Sequence, residues 1–574
     1  MFPTFQRLGG PALAAVQALA ALVAIALSLR FSDDTLCALI NAGLFLLPFL
    51  LWSALSGRMT QGLAFATAFT LLVWAVGEFK LRYFGNRLAL IDLYFISEGA
   101  NWSIVKRYPM VQAALAAWLA LCLLLLLWAR RAQAAVLGWR GRALCTTLLA
   151  GWCALAWSSR HQHQWEVFRD DADCGPAKTC GVMSRLVYSY NVFEFAEPLP
   201  GGDPQPFLQA MAALPAAPPA APAPRPDVVV WLHESTLDPA AYRLDGARLP
   251  KLGMFRSDPR NRAAGLLRVH TFGGKTWLSE FSLLTGLVPE DFGGRRTTVF
   301  NSVAPQLRDN LVTRFEANGY DSVVLMPTMP HFYGAARTYA GVGFDRVLTL
   351  RNFPEYDHIP GDEWDIADSE RMGEAAARLL REHRRDHPER PLFLYLLSVK
   401  EHAPYSKRMK PDYRLERSDI PKSLASKLTD YIGKLRRLDA GLQILEKELD
   451  QPGHPALWAF FGDHQAYFEE DSPPYRTKLP NPDLLTQYRL RANGPTALVE
   501  SPPLLDIALL PSLITDHAGL EANPYFQAQS AMRRLCQGRL EDCPDAALLA
   551  SYKAHVFSPQ LALFAPVESL AELK

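Results

Sequence analysis

The chain has 574 residues, enough for three or four units at roughly 150 residues each. Lys and Arg number 59 and Asp and Glu 58, and the formal net charge of +1 gives no global reason to bind nucleic acid. Hydrophobic residues make up 49% and are concentrated in the first 160 positions, which excludes a mostly disordered chain and a wholly soluble one.

Five apolar runs come first, at 11–29, 36–55, 62–76, 110–128 and 143–157. Each approaches the roughly 20 residues that a helix needs to cross a bilayer. A signal-peptide core is only about 7–15 residues long, no small-residue cleavage site follows the first run, and four more runs come after it. A five-span membrane domain over 1–160 is therefore expected. Arg130, Arg131, Arg140 and Arg142 cluster between the last two runs, with Arg7 and Arg58 on the same side, so that side is expected in the cytoplasm. Everything after the fifth run then lies outside. The loop 79–109 places Lys80, Arg82, Arg87, Lys106 and Arg107 on the outer side, a pattern compatible with interfacial helices or with lipid phosphates.

Four of the eight cysteines (Cys37, Cys122, Cys145, Cys153) fall in or near these runs as small apolar residues. Cys174 and Cys180 form one close pair after the fifth run, and Cys536 and Cys543 another near the C-terminus. Both read as short disulfide loops, hence an oxidising compartment. Zinc binding is the weaker reading, because neither pair has a nearby His or the C-x-x-C spacing.

A connector and Pro/Ala-rich linker is expected over 161–226; eight prolines fall within 201–226, as in an extended spacer. Strand and helix patterns then alternate. Strands are predicted at 227–232, 265–272, 321–326, 392–399 and 456–461, and helices at 277–285, 311–319, 366–383 and 420–449. The runs DVVVWL, LFLYLLSV and ALWAFF have no polar alternation, as strands buried on both faces do. The expectation is an α/β domain over 227–520 with a mostly parallel sheet between helices, followed by a C-terminal extension over 521–574.

Ligands in such folds sit beyond the carboxyl ends of the strands. There the sequence places Glu234 after the first strand, Lys400-Glu401-His402 after 392–399, and Asp463-His464 after 456–461. Thr276 follows Gly273-Gly274-Lys275 at a predicted helix start, where free N–H groups favour an anion. Each has a plainer reading: Thr276 as an N-cap, Glu234 as a cap or salt-bridge partner, Asp463-His464 as turn residues. Together they assemble carboxylates, an imidazole and a hydroxyl at one sheet edge. That donor set suits a divalent ion such as zinc or manganese, which would activate the hydroxyl for attack on a phosphate or sulfate ester.

At these residues the chain resembles the alkaline phosphatase/sulfatase superfamily, and within it the lipoteichoic acid synthase type. GGKTWLSEFSLLTG (273–286) resembles the nucleophile motif, FGDHQ (461–465) the metal motif, FYGAARTYAGVGFD (332–345) a downstream stretch, and FGNRLALIDL (84–93) a membrane-loop pattern. The resemblance implies Thr276 as nucleophile, Glu234, Asp463, His464 and Thr276 as metal ligands, and His402 as a proton donor or acceptor. It implies a phospholipid donor, an envelope glycan or lipid acceptor, and an inner-membrane protein whose catalytic domain faces the periplasm.

Donor identity stays open. Where the family has an Arg after its F-Y/W-N triplet, this chain has Ala335, with Arg337 two positions later; a family His is replaced by Met326, with His331 nearby. Lys275, Tyr333, Arg337 and His331 are the candidate headgroup contacts. HEST (233–236) and HAPY (402–405) look more like phosphoethanolamine transferases, so phosphoglycerol and phosphoethanolamine are both retained. A sulfatase or phosphodiesterase is a third reading, although Thr276-Trp277-Leu278 is not the C/S-x-P-x-R setting of formylglycine sulfatases. A non-catalytic envelope protein is a fourth, although all the metal-site residue types are present.

Overall fold

The computed structural model describes residues 10–30, 32, 35–84, 88–90, 92, 109–131, 136–160, 181–189, 199–215, 224–244, 246–327, 332–357, 367–403, 405, 415, 420–468, 473–496 and 501–564. The chain divides into two compact units, Met1–Ala196 and Glu197–Lys574.

The first unit is helical: α1 (Gly10–Ser28), α2 (Thr35–Ser56), α3 (Met59–Phe84), α4 (Pro109–Arg131), α5 (Trp139–Ser159) and the short α6 (Val182–Tyr188). Three stretches, Thr35–Ser56, Met59–Lys80 and Val111–Arg130, are long and apolar enough to cross a membrane. The apolar part of α1 is shorter, Ala14–Ser28, and α5 carries Arg140 and Arg142 in its first turn. The unit is apolar on the outside: Leu19, Leu55 and Leu123 are 65%, 71% and 59% exposed. Among the described residues, every exposed large hydrophobic side chain except Leu479 belongs to this unit. Such a surface is at home in lipid. Inside, polar groups find partners across helices. Gln17 donates to Thr67 at 3.2 Å, and the Trp118 indole to the Ala68 carbonyl at 2.9 Å. Asp92, in the 84–93 motif, accepts from Lys80 at 2.8 Å and from the Ala89 N–H at 2.7 Å.

The second unit is built on an eight-stranded sheet: β1 (Asp227–His233), β2 (Asn261–Arg268), β3 (Asp321–Met326), β4 (Arg346–Thr349), β5 (Leu392–Leu397), β6 (Ala456–Gly462), β7 (Leu485–Ala492) and β8 (Leu504–Asp506). The order is β4-β3-β5-β1-β6-β7-β2-β8. All neighbours are parallel except those of β7, which runs against β6 and β2. The central strand β1 is buried at every residue. Its side chains alternate between two cores, Val228, Val230 and Leu232 in one and Val229 and Trp231 in the other. This double burial is the physical reason for its continuous apolar sequence.

One core is covered by helices that include α7 (Gln205–Ala212), α8 (Thr276–Thr285), α9 (Leu311–Glu316) and α10 (Ala335–Val342). The other is covered by α11 (Ser369–Asp386) and α12 (Lys422–Leu449). The C-terminal residues return to the first core through α13 (Leu510–His517), α14 (Pro524–Leu535) and α15 (Ala546–Val556), which bring in Tyr525, Phe526, Met532 and Tyr552.

The stretch 201–226 is not extended throughout. Within it α7 packs on α15: Phe207 is fully buried, edge-on to Tyr552 at 5.1 Å, and its N–H donates to Ser551 at 3.0 Å. Its prolines fall at the helix start, where the missing N–H is not needed. Of the two expected disulfides, Cys536–Cys543 is formed; Cys174 and Cys180 lie outside the described residues. The Cys536–Cys543 loop reaches the sheet twice. Gly538 accepts from the Asp506 N–H at 2.8 Å, and Asp542 pairs with Arg268 of β2 at 2.9 Å. Cys536→Ser with Cys543→Ser should cost about 2 kcal/mol of stability, read as a lower denaturant midpoint for the purified full chain.

Candidate metal and nucleophile site

Parallel pairing sets the site. In the β1–β6 ladder His233 lies opposite Gly462, so the chains leave the sheet side by side as Glu234 and Asp463-His464. Gly462 is required by this approach, since a Cβ there would lie 1.9 Å from the Thr236 carbonyl oxygen. Ser235, after the first ligand, has a left-handed φ of 52°. Its N–H donates to Asp463 Oδ1 at 2.8 Å, as does the His464 N–H at 2.8 Å. Its hydroxyl donates to Glu234 Oε1 at 3.0 Å.

Thr276 opens α8, but it is not the cap. The N-cap is Lys275, whose side chain makes no capping bond. Gly273 and Gly274 take positive φ (68° and 157°) without steric cost, and Lys275, at 63°, is the strained residue of the turn that presents Thr276. The Thr276 hydroxyl donates to Glu234 Oε2 at 3.1 Å. The plain N-cap reading of Thr276 thus gives way to a hydroxyl aimed at the carboxylates.

Glu234, Asp463 and His464 bring one ligand atom each within 4.8 Å of one another. His464 Nδ1–H donates to the Gln465 carbonyl at 2.9 Å, which leaves Nε2 as an electron-pair donor. That Nε2 lies 3.1 Å from Glu234 Oε1 and 3.3 Å from Asp463 Oδ2. Both His464 Nε2 and Asp463 Oδ2 are buried without a hydrogen-bond partner. Against burial, Asp463 and Glu234 raise His464 to about 9. With the ring neutral, three electron-rich atoms face one another, a costly arrangement unless a proton or a cation lies between them. The edge of a coordination tetrahedron with ligand distances of ~2.0 Å is ~3.3 Å, so the residues fit a divalent first-row ion. Burial and the Glu234 charge push Asp463 up to about 7, the expected strain of two carboxyl groups sharing one site.

His402 stands at this edge, its ring 6.4 Å from that of His464. Its Nδ1–H donates to the Ala403 carbonyl at 2.6 Å. Burial holds it below the usual histidine range, partly offset by Glu234. The other expected contacts divide. Lys275 directly precedes the nucleophile candidate. Tyr333 turns inward to Glu280 at 2.7 Å. Arg337 is exposed on α10, whose buried face carries Thr338 and Tyr339. His331 lies outside the described residues.

Sequence reasoning missed two buried titratable groups that flank Thr276 in the chain. One is Glu280. The other is His270, six residues before Thr276, whose ring bridges Asp506 at 3.1 Å and Glu290 at 3.2 Å. Arg296 holds Glu290 at 2.9 Å. Burial opposes the imidazolium, but the two carboxylates more than offset it and raise His270 well above its usual range. Against burial, His270 and Arg296 hold Glu290 down at about 2. This network stabilises fully between about 4.5 and 6.5, the ordinary ranges of the two groups. Its contribution is lost as pH rises through the raised His270 value, and as pH falls through that of Glu290. His270→Gln should cost about 3 kcal/mol at pH 6 and flatten the alkaline fall of a melting-temperature profile.

Residues 226–497 match the family model described as Sulfatase. An uncharacterized protein of Haemophilus influenzae is 29% identical over 505 residues, 88% of this chain and 91% of its own length. The capsular polysaccharide biosynthesis protein RkpI of Rhizobium meliloti is 25% identical over 264 residues, 46% of this chain and 44% of its own. The solved structure of Streptococcus pyogenes phosphoglycerol transferase GacH, in complex with sn-glycerol-1-phosphate, aligns with a TM-score of 0.53 at 17% identity. It covers 66% of this chain and 98% of GacH, a likeness of fold.

Proposed function

We propose that this chain, whose residues 226–497 match the Sulfatase family model and follow apolar helices, is a membrane-bound, metal-dependent phosphotransferase. It moves a phosphoglycerol headgroup from a phospholipid to an envelope glycan or lipid through a phosphothreonine at Thr276. The observation that carries the reading is the Thr276 hydroxyl, 3.1 Å from Glu234 beside the unpartnered Asp463 and His464 atoms. Membrane-spanning helices in the same chain favour a lipid donor over a soluble ester, and GacH, the likeness in fold, is itself a phosphoglycerol transferase. The Cys536–Cys543 disulfide supports an oxidising, periplasm-facing location for the domain.

Glu234, Asp463 and His464, with Thr276, would hold the ion. When bound, a Zn²⁺ or Mn²⁺ supplies charge stabilisation to the Thr276 oxygen and the phosphoryl oxygens. Thr276 Oγ forms the new bond to phosphorus as the bond from phosphorus to the diacylglycerol oxygen breaks. Diacylglycerol leaves as the alcohol, taking up the proton that Thr276 gives up, with His402 as the exchanging group. The acceptor hydroxyl then attacks the phosphothreonine, and Thr276 recovers its proton. Lys275 and Arg337 are the cationic candidates for the headgroup phosphate.

A second reading, phosphoethanolamine as the headgroup, is favoured by the HEST and HAPY sequences at the site. Intact mass after incubation with phosphatidylglycerol or phosphatidylethanolamine, with Thr276→Ala as control, separates the two. A Thr276-dependent gain of one phosphoglycerol is the expected result. A phosphoethanolamine adduct would instead assign the second headgroup. No adduct with either lipid, in protein that holds its metal, would overturn the reading.

A further inference from the structure

Glu280 lies four residues after Thr276 on α8, on the same helix face, and is fully buried. No cation pairs with it among the described residues. Three phenols converge on it instead. Tyr333 donates to Oε2 at 2.7 Å, Tyr395 to Oε1 at 3.2 Å, and Tyr339 also to Oε1. They come from three places: the turn Phe332–Gly334, strand β5 and helix α10.

Tyr333 is itself tightly held. Its φ is 42°, a strained value for a residue with a side chain. Its carbonyl accepts from Asn301 Nδ2 at 2.8 Å, and the same nitrogen donates to Thr338 at 3.0 Å. Its ring lies 5.7 Å from that of Trp277, the residue directly after Thr276. The Trp277 indole donates to the Thr297 carbonyl at 3.0 Å.

We infer that Glu280, gripped by Tyr333, Tyr339 and Tyr395, is a positioning residue that fixes the first turn of α8 and so aims the Thr276 hydroxyl. An apolar side chain would fill this space at a lower desolvation cost. What the carboxyl adds is direction, because three donors from three elements permit only one rotation and one height of the helix. Thr276, one turn away, inherits that constraint, which in-line attack on phosphorus needs. Tyr333 is accordingly a support for the nucleophile, and the 333–338 segment is tied to it rather than being free to follow a headgroup. Burial pushes Glu280 up to about 7 despite the three donors, so the carboxyl is held at some expense.

The inference rests on Thr276 being the nucleophile, and the test separates the two. Detergent-solubilised full chain loaded with Mn²⁺ is assayed on bis(p-nitrophenyl) phosphate, which needs no lipid donor. Glu280→Gln and Tyr333→Phe should each lower kcat about 10-fold or more with KM nearly unchanged and with the metal content of the parent. The double variant should be no worse than the worse single, because both break one link. Rates within about two-fold of the parent in both singles, or single effects that multiply in the double, would overturn the inference. If Glu280→Gln fails to fold, Tyr333→Phe, which deletes one hydroxyl, carries the test alone. Diester turnover that persists in Thr276→Ala would instead remove the premise. Thr276-dependent diester turnover without a lipid adduct would refute the lipid donor and leave the positioning role standing.

Discussion

Thr276→Ala will abolish transfer, lowering the rate by about 10⁴-fold or more, the scale of losing a nucleophile. The same variant should melt close to the parent. Thr276 does not cap α8, since Lys275 holds that position without a side-chain bond. The substitution therefore removes one hydrogen bond, to Glu234, worth about 1 kcal/mol. A rate collapse without a stability collapse is the signature of a reacting group. Thr276→Ser keeps the hydroxyl but frees its χ1, because the β-methyl is gone. It should retain activity at about one-tenth of the parent rate and still form the covalent adduct. Near-parent turnover by Thr276→Ala would refute the nucleophile assignment.

The legibility of this fold follows from burial. The strand predicted at 321–326 is observed as Asp321–Met326, and 456–461 as Ala456–Gly462, because central parallel strands bury both faces and leave uninterrupted apolar runs. β7 escaped notice for the converse reason. Its sequence LTQYRLRA looks soluble, yet Arg491 is buried, held by Glu446 at 2.6 Å and Asn261 at 3.0 Å. Local patterning does not show a charge whose partners are distant in sequence. The same limit applies at the site. Glu234, Thr276, Asp463 and His464 were legible because each follows a strand or a Gly-Gly turn. Glu280 was not, since its three phenols stand 53, 59 and 115 residues away. On α10 the helix period leaves Arg337 exposed while Tyr339 is buried.

The second large effect concerns the ion. Asp463→Asn should remove metal-dependent activity, and it should do so without unfolding the site. Asp463 Oδ1 accepts the Ser235 and His464 N–H groups, both at 2.8 Å, and the carbonyl oxygen of Asn can accept the same two bonds. What changes is Oδ2, the buried atom without a partner, which becomes an amide nitrogen that repels a cation. In the parent protein, Mn²⁺ or Zn²⁺ at 100 times its dissociation constant should stabilise the fold by about 2.7 kcal/mol, and chelation should reverse this. Asp463→Asn should show no such shift. In chelator at neutral pH it should melt at or above the parent, because one of two crowded carboxyl groups has gone. Activity should fall at least as far as the ion's contribution to transition-state charge, about 10³-fold. A variant that kept the metal-induced melting shift would place the ion elsewhere. One that melted well below the parent in chelator would mean that Asp463 serves the fold through its charge rather than the ion.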